Sequence, residues 1–227
     1  IIQFLCSELC RVLQITCACG DSYVDTYTDA LGHAWDNGKV TKEPTETETG
    51  IKTYKWSVAD YDACAAGIKQ VEDELGPVAA LVNNAGITRD AMFHKMTPQQ
   101  WKEVIDTNLT GTFLTVRDAA EAMVNGGWPG LLVTISSVNK VGQVGQLNYS
   151  SAKVADALLP KIVVGEFLMR GIRNVRCVGI APGYTATPML TGMNQDALKA
   201  ILADVHLGRL VDPNEIARLI GHCVENE

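Results

Sequence analysis

The 227-residue sequence lacks any apolar run near the roughly 20 residues that a membrane-spanning helix requires. Its continuous apolar pieces, such as Pro77–Val82 and Ile162–Gly165, are sized for a core strand or helix. No membrane partner is therefore expected. A signal peptide is missing too: Ile1-Ile2-Gln3-Phe4-Leu5-Cys6 is apolar but has neither a basic leader nor a small-residue cleavage site. Nor is there a basic surplus. Nineteen Lys and Arg against 26 Asp and Glu leave a net charge of -7, which argues against a nucleic-acid partner. The seven cysteines are odd in number and mostly lie in apolar contexts, so no secreted disulfide framework is expected. Cys17-Ala-Cys19 is not a CxxC pair, and no second Cys/His pair at zinc spacing follows it, so no metal is expected. Reduced thiols suit a cytoplasmic location. Repeats and low-complexity tracts are likewise absent.

What is present suits one globular domain over 1–227: 47% of the residues are hydrophobic and 20% charged. Short apolar runs alternate with helix-length segments. Ile2–Arg11 reads as part of a helix, Val12–Thr16 as a strand and Tyr23–Trp35 as a weak helix. Lys39–Gly50, polar and aperiodic, reads as a surface loop. Ile51–Val58 alternates like a strand, Ala63–Leu75 has helical spacing, and Val78–Val82 is a buried strand. Pro98–Met123 reads as one long helix with Thr97 as its N-cap. Leu131–Ile135 and Val175–Ile180 are strands; Tyr149–Arg170, Asp196–Val205 and Asp212–Val224 are helices, the last capped by Asp212 with Pro213 at its first position. Strands separated by helices imply an α/β, Rossmann-like doubly wound parallel sheet. Such a sheet holds its ligand at the carboxyl ends of its strands.

Those ends carry small and polar residues: Asn83-Asn84-Ala85-Gly86 after Val82, Ser136-Ser137 after Ile135, and Pro182-Gly183-Tyr184-Thr185 after Ile180. Each alone reads more readily as a turn; together, on one crevice, they point to a ligand. Tyr149 and Lys153, four apart, share one face of a helix. A cation beside a phenol favours its ionised form and suits the phenol to general acid work near neutral pH. Singly, Lys153 also reads as a surface lysine, Ser137 as a helix cap and Asn108 as a kink residue.

Asn83-Asn84-Ala85-Gly86, Asn108 within Asp106-Thr107-Asn108-Leu109, Ser137, Tyr149-x-x-x-Lys153 and Pro182-Gly183 occur in the order of one family. From about Ser57 onward the chain resembles the short-chain dehydrogenase/reductase family. Within it, Asn84–Asp90, Met96-Thr97-Pro98, Trp101 and Gly142–Tyr149 are similar to beta-ketoacyl and acetoacetyl-CoA reductases. The resemblance implies an NAD(P)-dependent oxidoreductase reducing a 3-oxoacyl thioester, carried on CoA or acyl-carrier protein. It implies Tyr149 as proton donor, Ser137 as the group positioning the carbonyl oxygen, Lys153 on the nicotinamide ribose and Asn108 as holder of a relay water. It further implies Val58, Asn84, Ala85, Gly86, Tyr149, Lys153, Pro182, Gly183 and Thr185 as cofactor contacts. Ser137, Gln143, Gln146, Tyr149 and Tyr184 are the implied substrate contacts. A homotetramer or homodimer through the two long helices is implied as well.

The sequence departs from the family in two places. The Thr-Gly-x-x-x-Gly-x-Gly loop that opens the family is not found: Gly20 and Gly32 are the first glycines. The expectation is that Ile1–Arg11 follows an unrecorded first strand and loop, and that a final strand is missing beyond Glu227. Ser57 stands where the family often has Asp. Thr16-Cys17-Ala18-Cys19 offers no acid for a ribose 2′-hydroxyl and no base for a 2′-phosphate, so the resemblance alone tilts the expectation to NADP(H). A family member acting on another ketone or alcohol, or a non-enzymatic member that has lost cofactor binding, is the rival expectation.

Overall fold

The computed structural model describes residues 2–7, 10–15, 50–187, 190 and 195–226. Six strands form one sheet in the order β3-β1-β2-β4-β5-β6. They are β1 (Ile2–Ser7), β2 (Cys10–Ile15), β3 (Gly50–Tyr54), β4 (Ala80–Asn83), β5 (Gly130–Ile135) and β6 (Val175–Ile180). The helices are α1 (Tyr61–Leu75), α2 (Pro98–Ile105), α3 (Gly111–Gly126), α4 (Leu147–Met169), α5 (Gln195–Asp204) and α6 (Pro213–Glu225). The expected weak helix at Tyr23–Trp35 lies outside the described residues, as does most of the polar Lys39–Gly50 stretch.

The α/β reading holds, with the helices and strands alternating from Gly50 onward. Strands β2, β4, β5 and β6 are parallel neighbours. The amino-terminal part of the sheet differs from expectation. In place of the expected helix, Ile2–Ser7 forms β1 and Cys10-Arg11 begins β2; the two pair antiparallel, Ile2 opposite Ile15 and Ser7 opposite Cys10. Short apolar runs cannot be told apart by periodicity, and here the pairing with β3, Ile2 opposite Tyr54, decides for strand. The sheet is consequently mixed, with β1 antiparallel to both neighbours. Strand β2, read as a second strand, sits beside β4, the place of the first strand in the order 3-2-1-4-5-6.

Alternation along the buried strands splits the core in two. Leu81 of β4 and Leu132 of β5 pack with Ile68 and Val71 of α1, Val116, Ala119 and Met123 of α3, and Phe167 of α4. Ala80, Val82, Leu131 and Val133 face the other side with Ile180, against Ile220, Cys223 and Val224 of α6. The register aligns Asn83 with Thr134 and Ile135 with Ile180, so the carboxyl ends of β4, β5 and β6 lie level.

The expected single helix over Pro98–Met123 is instead α2, a π-helical turn at Asp106–Thr110, and α3. Such turns are uncommon and tend to mark functional positions. The Thr97 and Asp212 caps are present, both with reciprocal capping boxes, Thr97 with Gln100 and Asp212 with Glu215. The strand expected at Ile51–Val58 ends at Tyr54, after which Asp60 caps α1 through the Ala63 N–H.

Candidate active site

Three loops meet at the level carboxyl ends, and hydrogen bonds tie them together. After β4, Ala85 and Ile87 are buried while Asn84 and Gly86 are half-buried. Asn108 is fully buried in the π turn and closes a two-bond clamp on this loop. Its Oδ1 accepts from the Ile87 N–H at 2.8 Å and its Nδ2 donates to the Ile87 carbonyl at 2.9 Å. The Thr112 hydroxyl donates to the Asn108 carbonyl at 2.9 Å, bonding across the widened turn. A Cβ at Gly86 would lie 3.7 Å from Asn108 Oδ1, so Gly86 passes close over the clamp.

After β5, the Ser137 Oγ accepts from the Asn139 N–H at 3.1 Å, which leaves the hydroxyl hydrogen of Ser137 for another acceptor. Asn139 Nδ2 donates to Gln146 Oε1 at 2.8 Å, and Gln146 Nε2 donates to Asp90 Oδ2 at 2.9 Å. Gln146 thus spends both ends of its amide within the protein. The Val138 N–H donates to the Pro182 carbonyl at 2.9 Å, joining this loop to the one after β6. There Gly183, Tyr184 and Thr185 are half-buried; the Thr185 hydroxyl donates to the Gly183 carbonyl at 3.0 Å. Gln143 is exposed, and its N–H donates to the Ser150 hydroxyl at 3.2 Å. Val58 packs on α3, where a Cβ at Gly111 would fall 2.9 Å from Val58 Cγ2.

Helix α4 brings Tyr149 and Lys153 to the same place. Lys153 is buried, and its Nζ lies 5.8 Å from the centroid of the Tyr149 ring. The ammonium donates to the Ile135 carbonyl at 2.6 Å, at the last residue of β5, and to Asp156 Oδ2 at 2.9 Å. One of its three N–H groups is thereby left over. The Ser136 hydroxyl donates to the Lys153 carbonyl at 2.5 Å, so β5 and α4 are joined both ways. Burial pushes the Asp156 carboxyl above the usual carboxylate range, and the Lys153 ammonium opposes that rise.

Asn108, Ser137, Tyr149 and Lys153 therefore all stand on elements that converge on one crevice. His94 and His206 are exposed and have no part in this cluster. Met189 and Met193 lie outside the described residues. Three contributors carry no motif signal. Asn148 accepts from the Tyr149 N–H at 2.8 Å and donates to the Arg89 and Gln100 carbonyls, both at 3.1 Å, anchoring the start of α4. Asn139 and Asp156 are the others. Asp156 alone had a legible sign: a charge in the apolar run Val154–Leu159, three residues from Lys153 on the same face.

The crevice suits the nicotinamide half of a dinucleotide. It offers three uncommitted donors, the Ser137 and Tyr149 hydroxyls and the third Lys153 N–H, beside a loop whose backbone is bare at Gly86. The residues following β2, where a doubly wound sheet holds the pyrophosphate, lie outside the described residues. Among the described residues no cluster of His, Cys, Asp and Glu is arranged to hold a metal, and no helix is long and apolar enough to cross a membrane.

Comparison with known proteins agrees with this layout. The acetoacetyl-CoA reductase of Paracoccus denitrificans is 53% identical over 197 residues, covering 86% of this chain and 78% of its own. That of Rhizobium meliloti (strain 1021) is 49% identical over 178 residues, covering 77% and 72%. That of Shinella zoogloeoides is 45% identical over 188 residues, covering 82% and 76%. A family profile described as short chain dehydrogenase matches residues 32–198. With its level strand ends, its buried Lys153 beside Tyr149 and this profile over most of its length, the chain belongs to the short-chain dehydrogenase family.

Proposed function

We propose that this protein reduces a 3-oxoacyl thioester to the 3-hydroxyacyl thioester, with acetoacetyl-CoA as the first substrate to try. The observation that carries the reading is Tyr149 one helical turn from a buried Lys153 whose ammonium is fixed at the end of β5, next to Ser136-Ser137. The similarity to acetoacetyl-CoA reductases supports the substrate class. The cofactor is a nicotinamide nucleotide, which when bound supplies the hydride. The preference for NADP(H) over NAD(H) is part of the proposal.

The chain's own residues then have separable tasks. Negative charge develops on the substrate's carbonyl oxygen, and two donors aimed at one oxygen stabilise it most when they are held in place beforehand. Ser137 is such a donor, because its oxygen is already engaged by the Asn139 N–H and its hydrogen is free. Tyr149 is the second and gives up its proton. Lys153 favours release of that proton through its charge and has one N–H for the nicotinamide ribose. Asn108 keeps the loop after β4 and the π turn in one arrangement, and a relay water would be held near it. Val58, Asn84, Ala85, Gly86, Pro182, Gly183 and Thr185 are assigned to the cofactor, and Gln143 and Tyr184 to the substrate. Gln146, read from sequence as a substrate contact, serves through Asn139 and Asp90.

A second copy of this chain is the proposed partner, as homodimer or homotetramer, and the cytoplasm the proposed location. The supporting observations are a groove of about 420 Å³ between α3 and α4, lined by Phe113, Val116, Leu159, Val163 and Phe167, and the more than half exposed Leu158 and Ile162 of α4.

The test is oxidation of NADPH and of NADH, followed with acetoacetyl-CoA, with acetoacetyl-carrier protein and with simple ketones. Turnover on a thioester, faster with NADPH, is expected. Turnover on another ketone alone overturns the thioester assignment, and the absence of both turnover and nucleotide binding favours a non-enzymatic member that has lost its cofactor.

A further inference from the structure

Asp156 is a charge that the reaction outlined above does not use. Its carboxylate is buried: the side chains of Lys153 and Asp156 are 6% and 1% exposed. Oδ2 meets Lys153 Nζ at 2.9 Å. Oδ1 is buried without a hydrogen-bond partner among the described residues; the nearby Thr112 hydroxyl donates to the Asn108 carbonyl instead. The Asp156 carbonyl accepts from the Thr134 hydroxyl of β5 at 3.1 Å, which fixes the backbone that carries the carboxylate.

Paired or bonded charges on α2, α3 and β6, which pack against α4, are engaged elsewhere. On α2, Lys102 pairs with Asp106 of the π turn, and Glu103 pairs with Arg89. On α3, Arg117 pairs with Asp118. On β6, Arg176 donates to the Cys223 and Asn226 carbonyls. Lys153 is thus the charge that Asp156 meets among the described residues. A buried ion pair of this kind is no gain in stability over an apolar pair of the same volume, because each ion loses its water. Its retention beside an acid–base residue therefore asks for another explanation.

Tyr149, Lys153 and Asp156 run along one face of α4. The phenol sees the ammonium first, and the carboxylate about a turn further on. We propose that Asp156 is a positioning residue for Lys153: it clamps the ammonium at the end of β5 and offsets part of the positive field that reaches the Tyr149 hydroxyl. A phenol under the full field of an unpaired lysine would lose its proton at lower pH and stand idle as an acid. The clamp thereby tempers the pull of Lys153 on the Tyr149 proton, which suits an enzyme working toward reduction. This rests on Tyr149 being the proton donor, but its test needs neither substrate nor cofactor.

The test is tyrosinate absorbance against pH in the protein without nucleotide. The wild type minus Tyr149→Phe isolates the Tyr149 step; Asp156→Asn minus Asp156→Asn/Tyr149→Phe isolates it without the carboxylate. Removing a negative charge favours the phenolate, so the step is expected to move to lower pH. Asp156→Glu, which keeps the charge, should restore it. An unmoved step in Asp156→Asn overturns the proposal, as does an Asp156→Glu variant that behaves like Asn. In the active enzyme the alkaline limb of kcat for reduction should shift by the same amount. A uniform loss of kcat with an unmoved limb would mean a purely structural role. Should Asp156→Asn not fold, the wild type decides by nitrogen NMR of the lysine ammonium groups. The Lys153 signal, identified by its loss in Lys153→Met, must follow the titration of a carboxyl; a Lys153 signal that follows none overturns the clamp. A wild type with no turnover would sink the reductase reading and leave the absorbance result standing.

Discussion

Tyr149→Phe removes one oxygen and nothing that the core needs, since the ring is half-buried and its hydroxyl bonds no protein group among the described residues. Proton transfer from a positioned side chain contributes about 10²–10⁴-fold. The variant should lose that factor in kcat for acetoacetyl-CoA reduction while its nucleotide affinity, read by quenching of tryptophan fluorescence, stays within about twofold. Turnover within tenfold of the wild type would remove Tyr149 from the acid role. Residues of this kind were legible because their chemistry dictates a spacing: Tyr149 and Lys153 must share a helix face, and Ser137 must end a strand. Asn139 and Asn148 were not, because a side chain that bonds to backbone or to another amide leaves no pattern in the chain. Asp156 belongs to the same class, although its charge in an apolar run was a sign that could have been read.

At the scale of elements, the junction of α2, the π turn and α3 depends on a close approach. Gly111 opens α3 against Val58, and a Cβ there would stand 2.9 Å from Val58 Cγ2 and 3.1 Å from the Val58 carbonyl oxygen. Alanine is favoured over glycine in a helix by about 1 kcal/mol, but overpacking against backbone costs about 1–3 kcal/mol. The clash wins because the carbonyl cannot rotate away. Gly111→Ala should lower the melting temperature by several degrees, at about 2–4 °C per kcal/mol for a chain of this length. Because Val58 is assigned to the cofactor, KM for NADPH should rise with little change in kcat. An unchanged melting temperature would show that Val58 yields freely. The helix caps at Thr97 and Asp212 were legible, since the capping box is local in sequence. The π turn was not: it arises from the clamp of Asn108 on Ile87, 21 residues away. Ile2–Ser7 was misread for the same reason, its strand state being decided by pairing with β2 and β3.

For the whole molecule, the parallel half of the sheet and its level strand ends follow from continuous apolar runs spaced by helices, whereas the direction of β1 depends on partners that no local pattern names. Burial has a second consequence at this scale. It pushes the Cys64 thiol up to about 11 and the Cys177 thiol up to about 12, from an ordinary 9.0. Burial and the bond to Glu74 likewise hold the Tyr54 hydroxyl above its ordinary value. A group whose folded value is raised gives stability that is whole below its unfolded value and is lost as pH rises through the folded one. The melting temperature should therefore be level between about pH 7 and 8.5 and fall between about pH 9 and 11. A Cys64→Ala/Cys177→Ala variant starts lower for lack of packing, yet should lose less over the same interval. Parallel curves would show that the thiols are not the groups responsible.

The same scale governs assembly. Phe113, Val154, Leu158 and Ile162 on α3 and α4 are 53%, 42%, 54% and 58% exposed, too much contiguous apolar surface for helices of one folded chain to leave in water without consequence. Two copies related by a two-fold axis would lay this face on itself, since an isologous contact uses the same patch twice. Light scattering of the wild type should give two or four times the chain mass. Leu158→Glu with Ile162→Glu places four carboxylates in the contact of each pair of chains and should leave a monomer. The site would survive that separation, because Asn108, Ser137, Tyr149 and Lys153 all come from one chain and are held by bonds within it. Retained nucleotide binding by the monomer is the expected result. A wild type that is already monomeric would instead leave the α3–α4 face without its proposed occupant.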